Sequence, residues 1–164
     1  MFQQPKDYFV INFADLSEYP GKLIFGNWNS VFNEEFMLNI DSLINCTTAR
    51  HGMINKTSDN FLRLDFWSNL NELTSTEIFK ELEKSSNFIH QRLSQSKNIL
   101  IHCSLGITRS PATVLAFLIW KNPKKFDIDL GLKALKQYNP KIKDPLPYLK
   151  ILIDWQKYKC TINY

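Results

Sequence analysis

His102-Cys103-Ser104-Leu105-Gly106-Ile107-Thr108-Arg109-Ser110 decides how this chain is read. Its spaced identities, His102, Cys103, Gly106, Arg109 and Ser110, sit between two different patterning signals. Upstream, Ile99-Leu100-Ile101 is a short apolar run of the kind that forms a buried strand. Downstream, Ser110 and Pro111 open an apolar helix, with Pro111 near a first-turn position where its missing N–H costs little. The stretch therefore joins a strand end to a helix N-terminus. Unpaired backbone N–H groups and the positive end of the helix dipole favour an anion there. Gly106 permits a backbone angle that other residues resist. Arg109 adds a planar, permanently charged fork able to grip two anionic oxygens at once. The same field favours a thiolate at Cys103, and only the thiolate attacks. An ordinary strand–loop–helix connection with a buried cysteine needs none of Cys, Gly and Arg at these offsets.

At 164 residues the chain reads as one domain over 1–164, long enough for a sizeable core. The N-terminus is polar, and its first apolar run, Phe9-Val10-Ile11, is too short for a secretory signal. Pro111–Trp120, the most apolar segment, is too short to span a bilayer. Phe2 excludes myristoylation, and Cys160-Thr161-Ile162-Asn163-Tyr164 is not a prenylation box, so no membrane anchor is expected. Cys46, Cys103 and Cys160 are too few and too scattered for a disulfide framework or a zinc site. A reducing cytoplasm, with the nucleus also open, is the expected location. Asn45-Cys46-Thr47 and Asn55-Lys56-Thr57 match the glycosylation sequon but read as coincidence without a secretory signal.

The net charge of +4 is unevenly spread. Residues 121–159 hold 10 Lys and 4 Asp, a net of +6, and the remainder, with 10 Lys/Arg and 12 Asp/Glu, is −2. Solvated helix faces would account for this; so would a surface that draws acidic or phosphorylated partners.

Strand and helix signals alternate. Lys22–Gly26 reads as a strand after the Pro20-Gly21 turn, and Ser30–Leu38 as a short helix capped by Ser30. Asp41–Cys46 and Phe61–Leu64 read as strands, followed by an irregular polar stretch from Asp65 to Leu73. Thr74–Leu93 is an amphipathic helix with Ile78, Leu82, Ile89 and Leu93 on one stripe and a Thr74/Glu77 capping box. Ser110–Trp120 is apolar nearly all round, which predicts a buried central helix. Asp127–Tyr138 is a further helix capped by Asp127, and Asp144-Pro145 starts a last one with Leu149, Leu152 and Ile153 inward. The alternation predicts an α/β fold with a central, mostly parallel twisted sheet flanked by helices.

The loop at 102–110 resembles the signature of the cysteine-dependent protein tyrosine phosphatase superfamily. The order of elements over a core of about residues 20–158 resembles that of its small dual-specificity phosphatases. Leu23-Ile24-Phe25-Gly26-Asn27 is similar to the family's opening strand and turn, and Leu43-Ile44-Asn45-Cys46 to its second core strand. The resemblance implies Cys103 as nucleophile. Arg109 and the backbone amides of Ser104, Leu105, Gly106, Ile107, Thr108 and Arg109 would bind the phosphate. Neither a metal nor an organic cofactor is expected, because Arg109 and the amides supply the charge stabilisation.

A proton donor for the leaving group is also required. Asp65-Phe66-Trp67-Ser68 is similar to the Asp-x-Trp-Ser segment of some MAP-kinase phosphatases, where that Asp is the general acid. The stretch between Asp65 and the next helix is longer than usual in the family, which leaves Glu72 as the alternative and a plain solvated carboxylate as the bland reading of Asp65. Ser110 either donates to the Cys103 sulfur or caps the following helix. His102 is expected to shape the loop rather than move protons. His51 and His90 show no partner signal. Asp144 reads as a helix cap. Cys46 is either a small buried hydrophobe or a partner for Cys103 in a protective disulfide.

The function implied is a phosphoprotein phosphatase acting on phosphotyrosine and phosphoserine/threonine through a cysteinyl-phosphate intermediate. Its expected partner is a phosphorylated protein rather than a nucleic acid, and a monomer is expected. The alternative of a lipid or RNA 5′-phosphatase on the same fold would imply extra cations in the loop, where Ser104, Leu105, Ile107 and Thr108 are uncharged, but the basic 121–159 segment keeps it open. A phosphopeptide-binding scaffold without activity would not need nucleophile, arginine and acid together.

Overall fold

Ile99, Leu100 and Ile101 are completely buried on both faces, which a strand achieves only at the centre of a covered sheet. The computed structural model describes residues 6–49, 59–144 and 146–162. Its strands are β1 (Tyr8–Val10), β2 (Leu23–Gly26), β3 (Ser42–Asn45), β4 (Phe61–Arg63) and β5 (Ile99–His102), in the order β1-β2-β5-β3-β4. β5 pairs in parallel with β2 through Leu23↔Ile99 and with β3 through Ser42↔Ile99, and β4 adds in parallel outside β3. β1 closes the other edge antiparallel, so the sheet is mostly parallel, as expected. This edge strand, Tyr8–Val10, is not among the strands expected from the sequence.

The helices are α1 (Glu34–Met37), α2 (Ser75–Ser94), α3 (Arg109–Lys121), α4 (Ile128–Tyr138) and α5 (Leu149–Ile162). On one sheet face Phe25, Ile44, Ile99 and Ile101 meet the large helical layer. On the other, Ile24, Leu43 and Leu100 meet Phe36 of α1 and Ile40. α3 is the central helix: Ser110 to Ile119 are all buried, and it packs against α2, α4, α5 and the sheet. In α2 the predicted stripe Ile78, Leu82, Ile89 and Leu93 is buried. Its capping box is formed, with Glu77 N–H donating to Thr74 Oγ1 (3.2 Å) and Thr74 N–H to Glu77 Oε2 (2.8 Å). No helix among the described residues is long and apolar enough to cross a membrane.

Several boundaries differ from the expectations, each for a local reason. Ser30–Leu38 is not one helix: Asn27 caps a 3₁₀ turn at Trp28–Phe32 and Asn33 caps α1, while Ser30 Oγ donates to the Asn27 carbonyl. Asp65 to Leu73 forms two 3₁₀ turns, Asp65–Ser68 and Leu70–Glu72, and buries Phe66 and Trp67. The last helix starts at Leu149 rather than at Asp144, whose carboxylate instead accepts from Lys136 Nζ at 3.4 Å. Ile153 is 39 % exposed, not inward. His90 does have a partner: Tyr19 Oη lies 2.7 Å from its Nδ1. Asn45 is buried and takes the N–H and hydroxyl of Thr47, which removes it as a glycan acceptor. His51 and Asn55 lie outside the described residues.

Candidate active site

The parallel register carries Gly26, Asn45 and His102 to the same level at the C-terminal edge of the sheet. The residues that follow, Asn27, Cys46 and Cys103, lie just beyond that edge, where ligands of open parallel sheets collect in a crevice. Backbone bonds continue the pairing one step further: Cys103 N–H donates to Gly26 C=O (3.3 Å) and Cys46 N–H to His102 C=O (2.8 Å). His102 itself is completely buried.

From Cys103 the chain curls into a loop whose shape depends on Gly106. Its φ is +72°, and a Cβ there would lie 3.0 Å from the Gly26 carbonyl carbon. The loop carbonyls are taken up on the outside. Ser104 C=O accepts from Trp28 N–H (3.2 Å), Gly106 C=O from Asn139 Nδ2 (3.4 Å) and Ile107 C=O from Lys143 N–H (3.2 Å). In a trans peptide the C=O and N–H point opposite ways. The N–H groups of Leu105, Ile107 and Thr108 therefore turn to the inside of the loop, making an anion-binding concavity at the N-terminus of α3.

The Cys103 sulfur is 1 % exposed as a residue and lies at the base of that concavity. Gly106 N–H donates to it at 3.2 Å, and Ser110 Oγ lies 3.3 Å away. The Gly106 bond gives the sulfur a backbone donor, and the single Ser110 proton can be given either to the sulfur or to Gly26 C=O. Ser110 is the second residue of α3 and not its cap. Thr108 holds the cap position without a side-chain bond, and Ser110 Oγ also reaches Gly26 C=O (3.3 Å). The Arg109 guanidinium spans the crevice, with Nη2 donating to Ser104 Oγ (3.1 Å) and Nη1 to Cys46 C=O (3.3 Å) and Ser68 Oγ (3.4 Å).

Asp65 heads the 3₁₀ turn whose last residue is Ser68, so the turn that bears it touches Arg109 directly. Its carboxylate is exposed; Glu72, also exposed, ends the following turn. Buried Trp67 anchors the Asp65 turn by donating from Nε1 to Thr113 Oγ1 (3.0 Å) on α3. Thr113 Oγ1 in turn donates to Arg109 C=O (2.9 Å) and lies 3.4 Å from Cys46 Sγ. A hydroxyl has one proton. With that proton on the Arg109 carbonyl, Thr113 accepts from both Trp67 and Cys46, so Cys46 stands as a thiol donor. Burial pushes the Cys46 thiol well above its usual value, with Cys103 adding to the rise and the Arg109 charge pulling against it. Cys46 lies on the same sheet face as Cys103, and both thiols are free.

Tyr148 was not anticipated. Its ring packs on Trp67 at 4.7 Å between centroids. Burial raises the phenol above its ordinary value, against the pull of the Arg109 charge. No spacing in Pro145-Leu146-Pro147-Tyr148 points at a loop so far upstream. Only the packing of the segment before α5 onto Trp67 reveals the connection.

The 31 % identical tyrosine-protein phosphatase yvh1 of Schizosaccharomyces pombe aligns over 66 % of this chain, which spans 32 % of that protein's length. Among solved structures, human DUSP28 superposes with a TM-score of 0.69 at 14 % identity, covering 94 % of this chain and 96 % of that one. The Yvh1 phosphatase domain of Chaetomium thermophilum gives 0.67 at 18 % identity, covering 90 % and 96 %. These two likenesses establish the fold. Residues 23–158 match the dual specificity phosphatase catalytic domain as a family, from β2 through the loop after β5 to the last helix. With that match running through the sheet, the anion-binding loop and the helical layer, the chain belongs to the dual specificity phosphatase catalytic domain family.

Proposed function

We propose that this chain hydrolyses phosphate monoesters on phosphorylated proteins, at both tyrosine and serine/threonine, through a cysteinyl-phosphate intermediate. The observation that carries the reading is the convergence of the Gly106 N–H and the Ser110 hydroxyl on a buried Cys103 sulfur, beneath a loop that turns its amides inward. The thiolate of Cys103 attacks phosphorus, and an S–P bond forms as the ester P–O bond breaks. Asp65 gives its proton to the leaving oxygen. Arg109 and the loop amides hold the three equatorial oxygens while charge shifts onto them. Water then attacks phosphorus and yields its proton to the Asp65 carboxylate. The S–P bond breaks, and the sulfur leaves as a thiolate that accepts from Ser110. The uncharged side chains at Ser104, Leu105, Ile107 and Thr108 favour a singly phosphorylated residue over polyphosphorylated ligands.

The test is turnover of a phosphotyrosine peptide, a phosphothreonine peptide and a small aryl phosphate. Iodoacetate should inactivate the protein, and phosphate or vanadate should protect it. Cys103→Ser should abolish turnover yet still bind oxyanions; a variant that keeps turning over overturns the covalent route.

A further inference from the structure

A groove of about 770 Å³ opens beside the anion-binding loop, on the side away from the Asp65 turn. Sheet order explains the separation. β5 feeds the loop from the centre; Asn27 and Trp28 follow β2 on one side, while Asp65 follows β4 on the other. Ser104, Leu105 and Ile107 form part of the groove wall, so groove and loop share one stretch of backbone. Leu105 is 66 % exposed and Trp28 42 %, both large apolar side chains beside the crevice. Phe32 packs edge-on against Trp28 at 5.4 Å and is also exposed. The Tyr138 ring lines the opposite wall.

The walls are tied together before any ligand arrives. Trp28 N–H holds Ser104 C=O, and Asn139 and Lys143 hold Gly106 and Ile107. Asp7, the acidic lining residue, has its carboxylate engaged by Asn27 Nδ2 (3.0 Å). Lys6 and Lys141 are both exposed at the groove. The result is a preformed apolar cleft with cations at its rim, of a volume suited to side chains rather than to a whole folded partner.

We propose that this groove binds the segment of a phosphoprotein substrate next to its phosphorylated residue, taking an apolar side chain against Trp28 and Leu105 and a carboxylate against Lys141. This rests on the phosphatase reading and narrows its substrate class. The continuity of groove and loop puts this surface within reach of one flank of a peptide whose phosphate sits over Cys103. The lysine rim selects the charge of that flank.

Binding of fluorescent phosphotyrosine peptides to Cys103→Ser protein tests the groove separately from catalysis. The panel varies the residues on each side of the phosphotyrosine among alanine, leucine, phenylalanine, glutamate and lysine. One flank should prefer an apolar residue by roughly tenfold over alanine, the scale of a well-filled apolar pocket. Glutamate beyond it should add roughly two- to fivefold, as for an exposed ion pair. In the same background Trp28→Ala should remove the apolar preference, and Lys141→Glu should reverse the charge preference towards lysine. In otherwise wild-type protein, Lys141→Glu should leave turnover of a small aryl phosphate unchanged. A flat panel overturns the proposal, as does a preference that neither variant alters. Self-association that Trp28→Ala abolishes, with a flat panel, would assign the groove to a second copy of the chain. Failure of wild-type protein to hydrolyse aryl phosphate would instead remove the phosphatase reading, while the binding panel still reports on the groove.

Discussion

Arg109 does three things with one side chain: it faces the loop through Ser104, the neighbouring strand end through Cys46 C=O and the Asp65 turn through Ser68. An ammonium is a compact charge and cannot span these directions. Arg109→Lys should therefore lose most of kcat although the charge is kept, by roughly the hundred- to thousandfold typical of a lost transition-state donor. A kcat within a few-fold of wild type would make the arginine a structural brace only. The acid is read from leaving groups. Asp65→Asn should slow hydrolysis of poor leaving groups strongly and that of an activated aryl phosphate little, because the latter needs little protonation. If Glu72→Gln shows that pattern and Asp65→Asn does not, the acid is Glu72.

Among the elements, the short turn bearing Asp65 is held in place by side chains remote from it in sequence. Trp67→Phe keeps an aromatic ring but deletes the Nε1–H bond to Thr113 together with the second ring of the indole. Thermal unfolding should show a loss of about 2–3 kcal/mol, from the hydrogen bond together with the buried atoms removed, with kcat falling most for poor leaving groups if the turn shifts; an unchanged midpoint would mean that neither the bond nor the indole packing holds the turn. This turn also marks where sequence reading stops. The Thr74/Glu77 box and the α2 stripe were legible because every partner lies within a turn or two of helix. The loop was legible because Cys103, Gly106, Arg109 and Ser110 act within one connection. Trp67 to Thr113, and Tyr148 to Trp67, join segments far apart in the chain, and no period encodes them. Asp144-Pro145 carried a helix-start signal, yet Asp144 pairs with Lys136 and the helix waits until Leu149. Ser30 does not act as a cap because Asn27 and Asn33, three residues to either side, occupy the two cap positions.

For the molecule as a whole, the groups that burial keeps protonated weaken the fold at alkaline pH. Burial raises Cys46, and likewise Tyr19 and Tyr148. A raised value means that the folded chain still holds its proton where the unfolded chain has released it. The stability is thus fully present below the ordinary cysteine value of 9.0 and is lost as pH climbs past it. Lys121, lowered by burial, acts with the opposite sign, so the informative quantity is a difference between two proteins. The unfolding temperature of wild type should fall more steeply above pH 9.0 than that of Cys46→Ala, whatever the offset between them at neutral pH. Parallel slopes would show that Cys46 does not contribute.

Ser110 Oγ lies 3.3 Å from the Cys103 sulfur and 3.3 Å from the Gly26 carbonyl oxygen, with one proton to give. The hydroxyl rotor is therefore a two-position needle: towards sulfur while sulfur is anionic, towards the carbonyl once sulfur is capped by a phosphoryl or alkyl group. Gly26 sits in β2, outside the loop, so its carbonyl records the state of the Cys103 sulfur from the neighbouring strand. In a ¹³C-labelled sample the Gly26 carbonyl resonance should move downfield on alkylation of Cys103 and stay fixed in Ser110→Ala, giving a spectroscopic readout of the sulfur from a backbone atom of the neighbouring strand.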